Sequence, residues 1–282
     1  LADVLVMTAT PIPRSLALAQ YGDMDVSVLD EKPPGRKPIT TALVSTERLE
    51  EVVGRIRAAA DDGRQVYWVC PLVEESETSD MTAAEERFKR LRAALGEARV
   101  GLVHGQMPPA EKDAAMARFQ AGETSVLVAT TVIEVGVNVP NATIMVIERA
   151  ETFGLAQLHQ LRGRVGRGDQ ASTCLLLYQA PLGEGGRKRL ETLRNTEDGF
   201  IIAETDLEMR GAGDVIGTAQ SGLPRFRVAD VESQTGLMAT AQTDARALLT
   251  TDPTLESGRG RAARVLLWLM RQDEAIRLIS VG

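Results

Sequence analysis

The chain has 282 residues, of which 44% are hydrophobic and 25% are charged, and its formal net charge is −7. This length predicts about two structural units, and the composition excludes both a disordered chain and a small domain held together by disulfides or metals. No apolar run approaches the ~20 residues that a membrane helix needs, and we find no secretion signal, so we expect a cytoplasmic protein. Because the net charge is negative, any binding of a polyanion must depend on local clusters of basic residues.

The first 29 residues are typical of the last part of a preceding domain. A strand is predicted over 3–7 and another over 26–29, with a turn fixed by Pro11 and Pro13 and a short helix between them. The segment DEKPPGRK, residues 30–37, is rich in proline and charge and predicts a linker.

Between residues 39 and 178, short β-branched runs alternate with amphipathic stretches. This alternation predicts an α/β domain, an open parallel sheet covered by helices. The predicted strands are 39–44, 66–70, 100–103, 125–129, 143–147 and 173–178. Thr82 and Glu85 predict a capping box at the start of one helix, and the acidic residues 74–80 before it predict an exposed loop.

After residue 178 the pattern becomes helical, with a break at the Gly-rich stretch 211–222. The longest apolar run, 265–270, has the length expected of a buried helix. Cys70 and Cys174 lie in apolar runs, which predicts buried, reduced thiols. The expected organisation is therefore 1–37, the end of a first domain plus the linker; 38–180, the α/β domain; and 181–282, a helical hairpin, a loop and C-terminal helices.

The densest chemical signal is QLRGRVGRG, residues 160–168. Arg164 and Arg167 are three residues apart, so we expect them to share one helical face and to point two guanidinium groups at one anion, while the glycines permit a close approach of the backbone. The pattern favours a site for a polyphosphate over a solvated basic helix start.

Polar residues also follow three predicted strands. Thr130 and Thr131 end the strand in VLVATTVIEVGVNVP, Thr8 and Thr10 end the strand in MTATPIPR, and His104 ends the strand in GLVHGQM. Ligands of open α/β sheets bind at such strand ends, although each motif alone is also compatible with an ordinary turn. With only two histidines in the chain, we expect no metal site.

Two parts of a complete nucleotide site are missing from the sequence. It contains no G-x-x-x-x-G-K-[ST] loop, and no apolar strand that ends in paired acidic residues able to hold Mg²⁺. The sequence therefore predicts arginines for a γ-phosphate without the loop that would cradle it.

These motifs resemble those of a known family. Gln160, Gly163, Arg164, Gly166 and Arg167 match the Q-x-x-G-R-x-G-R motif of the second-superfamily nucleic-acid helicases, and the T-A-T and strand-threonine-glycine motifs match residues 8–10 and 130–140. Within that superfamily, the chain is similar to the RecG family of bacterial branched-DNA helicases up to about residue 231. The similar segments are TATPIPRSLAL, LDEKPPGRKPITT, WVCPLVEESE, GLVHGQM and DGFIIAETDLEMRGAGDVIGTAQSG.

The resemblance implies a RecA-like open parallel sheet with helices on both faces, followed by the helical hairpin and appendage. In that family ATP and Mg²⁺ bind between two RecA-like domains, and the enzyme remodels stalled forks and Holliday junctions in recombination and repair. Alone, this chain is expected to hydrolyse no ATP and to bind no cofactor tightly. The implied partners are branched duplex DNA, an N-terminal wedge and first RecA-like domain, and a single-stranded DNA-binding protein, with a cytoplasmic, nucleoid-associated location.

The resemblance also assigns roles to residues. It implies arginine fingers at Arg164 and Arg167; a nucleotide site at Gln160, Gly136 and Asn138; DNA contacts at Thr130, Thr131, His104 and Gly105; and coupling of hydrolysis to movement by Thr8, Thr10, Arg189, Arg210 and Gln220. One departure is that Asn138 stands where the family usually has Asp. Any role of that carboxylate toward the ribose or an arginine is therefore in doubt.

Two other interpretations stay open at this point. The transcription-repair coupling factor shares the hairpin and both motor motifs, although the stretch GDMDVSVLDEKPPGRKP favours the RecG family. A non-catalytic RecA-like module that binds DNA or a protein partner is the alternative of a different class. A phosphate-binding loop encoded upstream of Leu1 would exclude the non-catalytic alternative.

Overall fold

A computed structural model describes residues 36–71, 77–130, 139–217 and 235–270, together with Leu5, Met7 and Ser27. The backbone alone is described at 77–82, 210–217, 235–236 and 238–239. The predicted elements within 1–29 lie outside these residues. None of the described helices is long and apolar enough to cross a membrane.

Six strands form one parallel sheet. They are β1 (Ile39–Ser45), β2 (Gln65–Val69), β3 (Val100–Val103), β4 (Val126–Ala129), β5 (Ala142–Ile147) and β6 (Ser172–Tyr178), in the spatial order β1-β6-β5-β2-β4-β3. Every strand predicted between residues 39 and 178 is confirmed to within one residue at each end. The central strands β2, β4 and β5 are buried along their whole length, as expected for β-branched runs covered on both faces.

Eight helices are present in the described part of the chain. They are α1 (Leu49–Asp61), α2 (Glu77–Leu95), α3 (Pro109–Gln120), α4 (Leu155–Arg162), α5 (Glu184–Asn195), α6 (Gly199–Gly217), α7 (Thr235–Thr251) and α8 (Gly258–Leu269). Alternate residues of the strands contribute to two cores: α1 and α2 pack on one face of the sheet, and α3, α4 and α5 pack on the other. The predicted α/β class with helices on both faces is confirmed.

The described residues divide into two compact units at Met209, within α6. The first unit, 36–209, holds the sheet and α1 to α5. The second holds the end of α6 with α7 and α8. In the second unit, the hydroxyl of Ser257 accepts from the Gly260 amide at 3.0 Å and so caps the start of α8.

Four local predictions were wrong. Helix α2 begins at Glu77, so Thr82 lies inside the helix rather than at its cap, and 77–80 are helical rather than loop. Helix α6 continues through Gly217, so the Gly-rich break does not begin at 211. The run 265–270 is not buried, since Trp268 is 67% exposed and Val265 is 57% exposed. A run of apolar residues does not by itself show whether a neighbouring element covers it.

Candidate functional site

A cavity of about 560 Å³ opens beside the amino ends of β1 and β6. Three segments form its wall: the end of the linker with Arg36 and Lys37, the arginine motif at 159–167, and Glu197 between α5 and α6. Gln160, Arg164 and Arg167 all line it, so the structure brings together the three predicted site residues of the motif. The expectation that the two arginines share a helical face was wrong, because the helix ends at Arg162 and both lie in the turn that follows it. Their roles remain predictions.

Positive charge is concentrated in this cavity. Partial burial lowers the pKa of the Arg167 guanidinium, and the neighbouring charges of Arg164 and Arg36 lower it further. Close to them, burial raises the pKa of the Tyr67 hydroxyl to about 12, against the opposing effect of the two motif arginines. Like charges held together repel one another, so the cavity is suited to a polyanion that would compensate them.

The third arginine of the motif also borders the cavity, but its guanidinium is hydrogen-bonded inside the protein. The side chain of Arg162 is 98% buried, and its Nη1 donates to the carbonyls of Leu193 and Thr196, the latter at 3.0 Å. Burial lowers its pKa, against the opposing effect of Cys174 and Glu197. Arg162 therefore ties α4 to the carboxyl end of α5, where helix carbonyls lack partners of their own. Sequence spacing alone does not separate this arginine from the other two.

The linker is anchored on the arginine motif. Gly166 has φ +74°, and the space that a Cβ would occupy there lies 3.0 Å from Cγ1 of Ile39. The amide of Ile39 donates to Oε1 of Glu197 at 2.5 Å, and Ile39 pairs with Ser172 at the start of the sheet. The sequence did not predict the contact between Ile39 and Gly166, because it joins residues far apart in the chain.

The predicted DNA-contacting residues lie at the opposite, carboxyl edge of the sheet. The side chains of Thr130 and His104 are buried, 2% and 8% exposed, and within the described part of the chain the Oγ1 of the first and the Nδ1 of the second have no hydrogen-bond partner. Gly105 is exposed, and Lys112 Nζ donates to its carbonyl at 2.6 Å. Thr131 lies outside the described residues.

A second charged cluster at the carboxyl edge joins β2, β5 and α2. The carboxylate of Glu148 accepts from Trp68 Nε1 and from Arg87, whose Nη2 lies 3.0 Å from Oε2. The Arg87 guanidinium also lies over the Trp68 ring, with its Cζ 5.6 Å from the ring centroid. Because both members of the ion pair are about 85% buried, the cluster fixes α2 across the strand ends. Sequence reasoning did not find this cluster, since its members are far apart in the chain.

Of the five residues predicted to couple hydrolysis to movement, Arg189 is the one whose side chain the structure describes. Its Nη1 donates to the carbonyls of Glu151 and Phe153 at 2.8 and 3.0 Å, which ties α5 to the turn that precedes α4. Arg210 lies in α6, where its side chain is not described. The other predicted site residues, Thr8, Thr10, Gly136, Asn138 and Gln220, lie outside the described residues.

The two cysteines are buried thiols and form no disulfide. Cys70 and Cys174 are free and buried, as predicted, and burial raises the pKa of the Cys174 thiol to about 12. In the ranges that the structure covers, no three His, Cys, Asp or Glu side chains are grouped so that they could hold a metal ion.

Comparison with protein families gives two matches. Residues 46–169 match the helicase conserved C-terminal domain, and residues 196–274 match the C-terminal part of domain 3 of the ATP-dependent DNA helicase RecG. The chain is 54% identical over 250 residues to the RecG helicase of Pasteurella multocida, covering 88% of this chain and 36% of that protein. It is 49% identical over 251 residues to the RecG helicase of Bacillus subtilis, covering 89% and 37%. The chain thus spans about a third of the length of these relatives.

A solved structure of RecG bound to a three-way DNA junction is also similar. The TM-score is 0.66 at 47% identity, and the match covers 84% of this chain and 30% of that one. This likeness confirms the RecA-like form of the sheet.

Proposed function

Because the chain belongs to the RecG family of helicases, we propose that it forms the second motor domain and the coupling region of an ATP-dependent helicase acting on branched DNA. The observation that carries the proposal is the cavity lined by Gln160, Arg164 and Arg167. Relatives that are 54% and 49% identical to this chain are named ATP-dependent DNA helicase RecG, and a RecG that is 47% identical is solved on a three-way DNA junction.

In this proposal the cavity receives the phosphates of ATP bound against another domain of the same protein. The sequence lacks both the lysine-containing phosphate loop and an acidic strand end, so these parts must come from elsewhere in the whole protein. Mg²⁺, which the family implies, would neutralise phosphate charge, but the described residues assemble no ligand set for it. Arg164 and Arg167 then stabilise the negative charge that develops on the transferred phosphoryl group.

Two arginines support the proposed coupling of hydrolysis to movement. Arg162 holds α5 to the carboxyl end of α4, where the arginine motif begins, and Arg189 holds α5 to the turn that precedes α4. A displacement of that motif on closure over ATP would therefore move α5 with it. Thr8, Thr10, Arg210 and Gln220 are proposed to belong to the same coupling path, on the strength of the family resemblance alone.

The carboxyl edge of the sheet is the proposed DNA side. The burial of Thr130 and His104 favours a supporting role for their side chains, so that the exposed backbone at Gly105, with Thr131, contacts phosphate. Contacts of this type carry no base information, and we expect DNA structure rather than sequence to be recognised. A partnership with single-stranded DNA-binding protein and an association with the nucleoid are proposals that rest on the resemblance.

The test is DNA-stimulated ATP hydrolysis by the whole protein. Arg164→Ala and Arg167→Ala should each lower turnover by about 10³-fold or more, because arginine fingers supply effects of this size. The corresponding Lys variants should recover little, because an ammonium cannot form the bidentate fork. Arg55→Ala, at an exposed arginine paired with Glu51, is the matched control and should hydrolyse like the parent protein. Near-normal turnover in Arg164→Lys and Arg167→Lys would exclude the finger role.

A further inference from the structure

We infer that Arg36, in the linker before β1, is a third guanidinium of the polyphosphate site. The inference rests on the proposed function, because it assigns an additional binding residue to the same cavity. The family resemblance covers this residue within LDEKPPGRKPITT but assigned it no role, and its neighbours in the sequence are those of an ordinary linker.

The position of Arg36 follows from the way the linker ends. Ile39 is fixed at three points: its side chain lies against Gly166, its amide donates to Glu197, and its backbone pairs with Ser172. The ring of Pro38 restricts the backbone between that anchor and Arg36. Three residues span at most ~10 Å, so Arg36 cannot lie far from the anchored end. Its side chain lines the cavity together with those of Arg164 and Arg167.

Electrostatics supports the same assignment. Arg36 lies close enough to Arg167 for its charge to help lower the pKa of that guanidinium. These three guanidinium groups share the cavity with Lys37 and with one carboxylate, that of Glu197, so positive charge exceeds negative charge there. A nucleotide polyphosphate would relieve the remaining repulsion. Arg36 is exposed, so its guanidinium is accessible to a ligand that enters the cavity. Since Gly166 separates the two finger positions and also receives Ile39, the linker and the fingers are positioned by the same turn.

The proposed contact is with the bound polyphosphate rather than with the group in transfer. Loss of Arg36 should therefore weaken nucleotide binding more than it slows the chemical step. A charge-assisted hydrogen bond to phosphate is worth about a tenfold change in affinity. We expect Arg36→Ala to raise the KM for ATP by about tenfold while kcat changes by less than about threefold. Arg36→Lys keeps the charge and loses the bidentate fork, so its KM for ATP should lie between those of the parent protein and of Arg36→Ala.

The experiment compares Arg36→Ala, Arg36→Lys and the parent in the whole protein. KM and kcat are measured in DNA-stimulated ATP hydrolysis, and the affinities of fluorescent ATP and AMP are measured by titration. Affinity for ATP should fall about tenfold, while affinity for AMP, which has one phosphate, should change by less than about twofold. Arg48→Ala is the matched control, since Arg48 is an exposed arginine paired with Glu51.

Two outcomes would overturn the inference. One is an unchanged KM for ATP in Arg36→Ala; the other is an equal loss of affinity for ATP and AMP together with a lower thermal midpoint, which would mean that the linker has only a structural role. Arg164→Ala, assayed in parallel, separates this inference from the proposed function. If Arg164→Ala keeps its turnover while Arg36→Ala raises the KM, the finger role is wrong and the inference about Arg36 stands.

Discussion

Replacing Gly166 with alanine should loosen the contact between the linker and the arginine motif. Two costs combine at this position. A residue with a side chain at φ +74° loses about 1 kcal/mol relative to glycine. The added Cβ would also lie 3.0 and 3.1 Å from Cγ1 and Cδ1 of Ile39, which must shift at a further cost of about 1 kcal/mol. We therefore expect a loss of about 2 kcal/mol in the free energy of unfolding.

Two other glycines separate these costs. Gly122 has φ +75° and no atom within 4 Å of an added Cβ, so Gly122→Ala should cost only the backbone term, about 1 kcal/mol. Gly163 has φ −66° and its nearest atom lies 3.4 Å away, so Gly163→Ala should be close to neutral.

The measurement is urea unfolding followed by the fluorescence of Trp68, which is buried in the first unit. Trp268 is exposed, and a Trp268→Phe background removes its signal. The expected order of destabilisation is Gly166→Ala, then Gly122→Ala, then Gly163→Ala. If Gly166→Ala proved no more destabilising than Gly122→Ala, Ile39 would not pack against the arginine motif.

Two further predictions concern other parts of the molecule. In the second unit, a Cβ on Gly260 would overlap the Asp252 carboxylate and approach the Leu255 backbone to 2.6 Å, whereas a Cβ on Gly258 meets nothing within 4 Å. Gly260→Ala should therefore lower the free energy of unfolding by about 3 kcal/mol, and Gly258→Ala should leave it almost unchanged. Equal thermal midpoints of the two variants, measured by circular dichroism, would contradict this. In the first unit, the raised pKa of Cys174 means that the folded state favours the protonated thiol, so this contribution to stability is fully present below pH 9 and is lost as the pH rises toward about 12. In denaturation measured from pH 8 to 11, the free energy of unfolding of Cys174→Ala should therefore fall less with rising pH than that of the parent protein. An unchanged pH profile would show that the Cys174 thiol is not the cause of the loss.

The sheet was predictable because its signal is local. Each strand is a short β-branched run bounded by turn residues, and the helices between them require parallel neighbours. The errors occurred where local patterns compete. Thr82 and Glu85 satisfy the spacing of a capping box, yet helix propensity extends α2 back to Glu77. The run 265–270 is apolar, but burial depends on what packs against it, and the spacing of residues contains no such information.

The arginine cavity was predictable only in part. Residues three apart on one short segment must lie close together, so Arg164 and Arg167 could be paired from the sequence. The places of Arg36 and Arg162 depend on residues more than 30 positions away. Arg36 lies near the charge of Arg167, and Arg162 donates a hydrogen bond to the carbonyl of Thr196. Such contacts are set by how the linker and α5 pack on the sheet, which no local pattern contains.

The most direct test of the central claim is a structure of the whole protein with ADP, aluminium fluoride and a three-way DNA junction, a complex that mimics phosphoryl transfer. We predict that guanidinium nitrogens of Arg164 and Arg167 lie about 2.7–3.0 Å from the fluoride group, the distance of a charge-assisted hydrogen bond. An analogue bound in the closed protein with both guanidinium groups beyond about 5 Å would contradict the assignment of this chain as the arginine-bearing half of the ATP site.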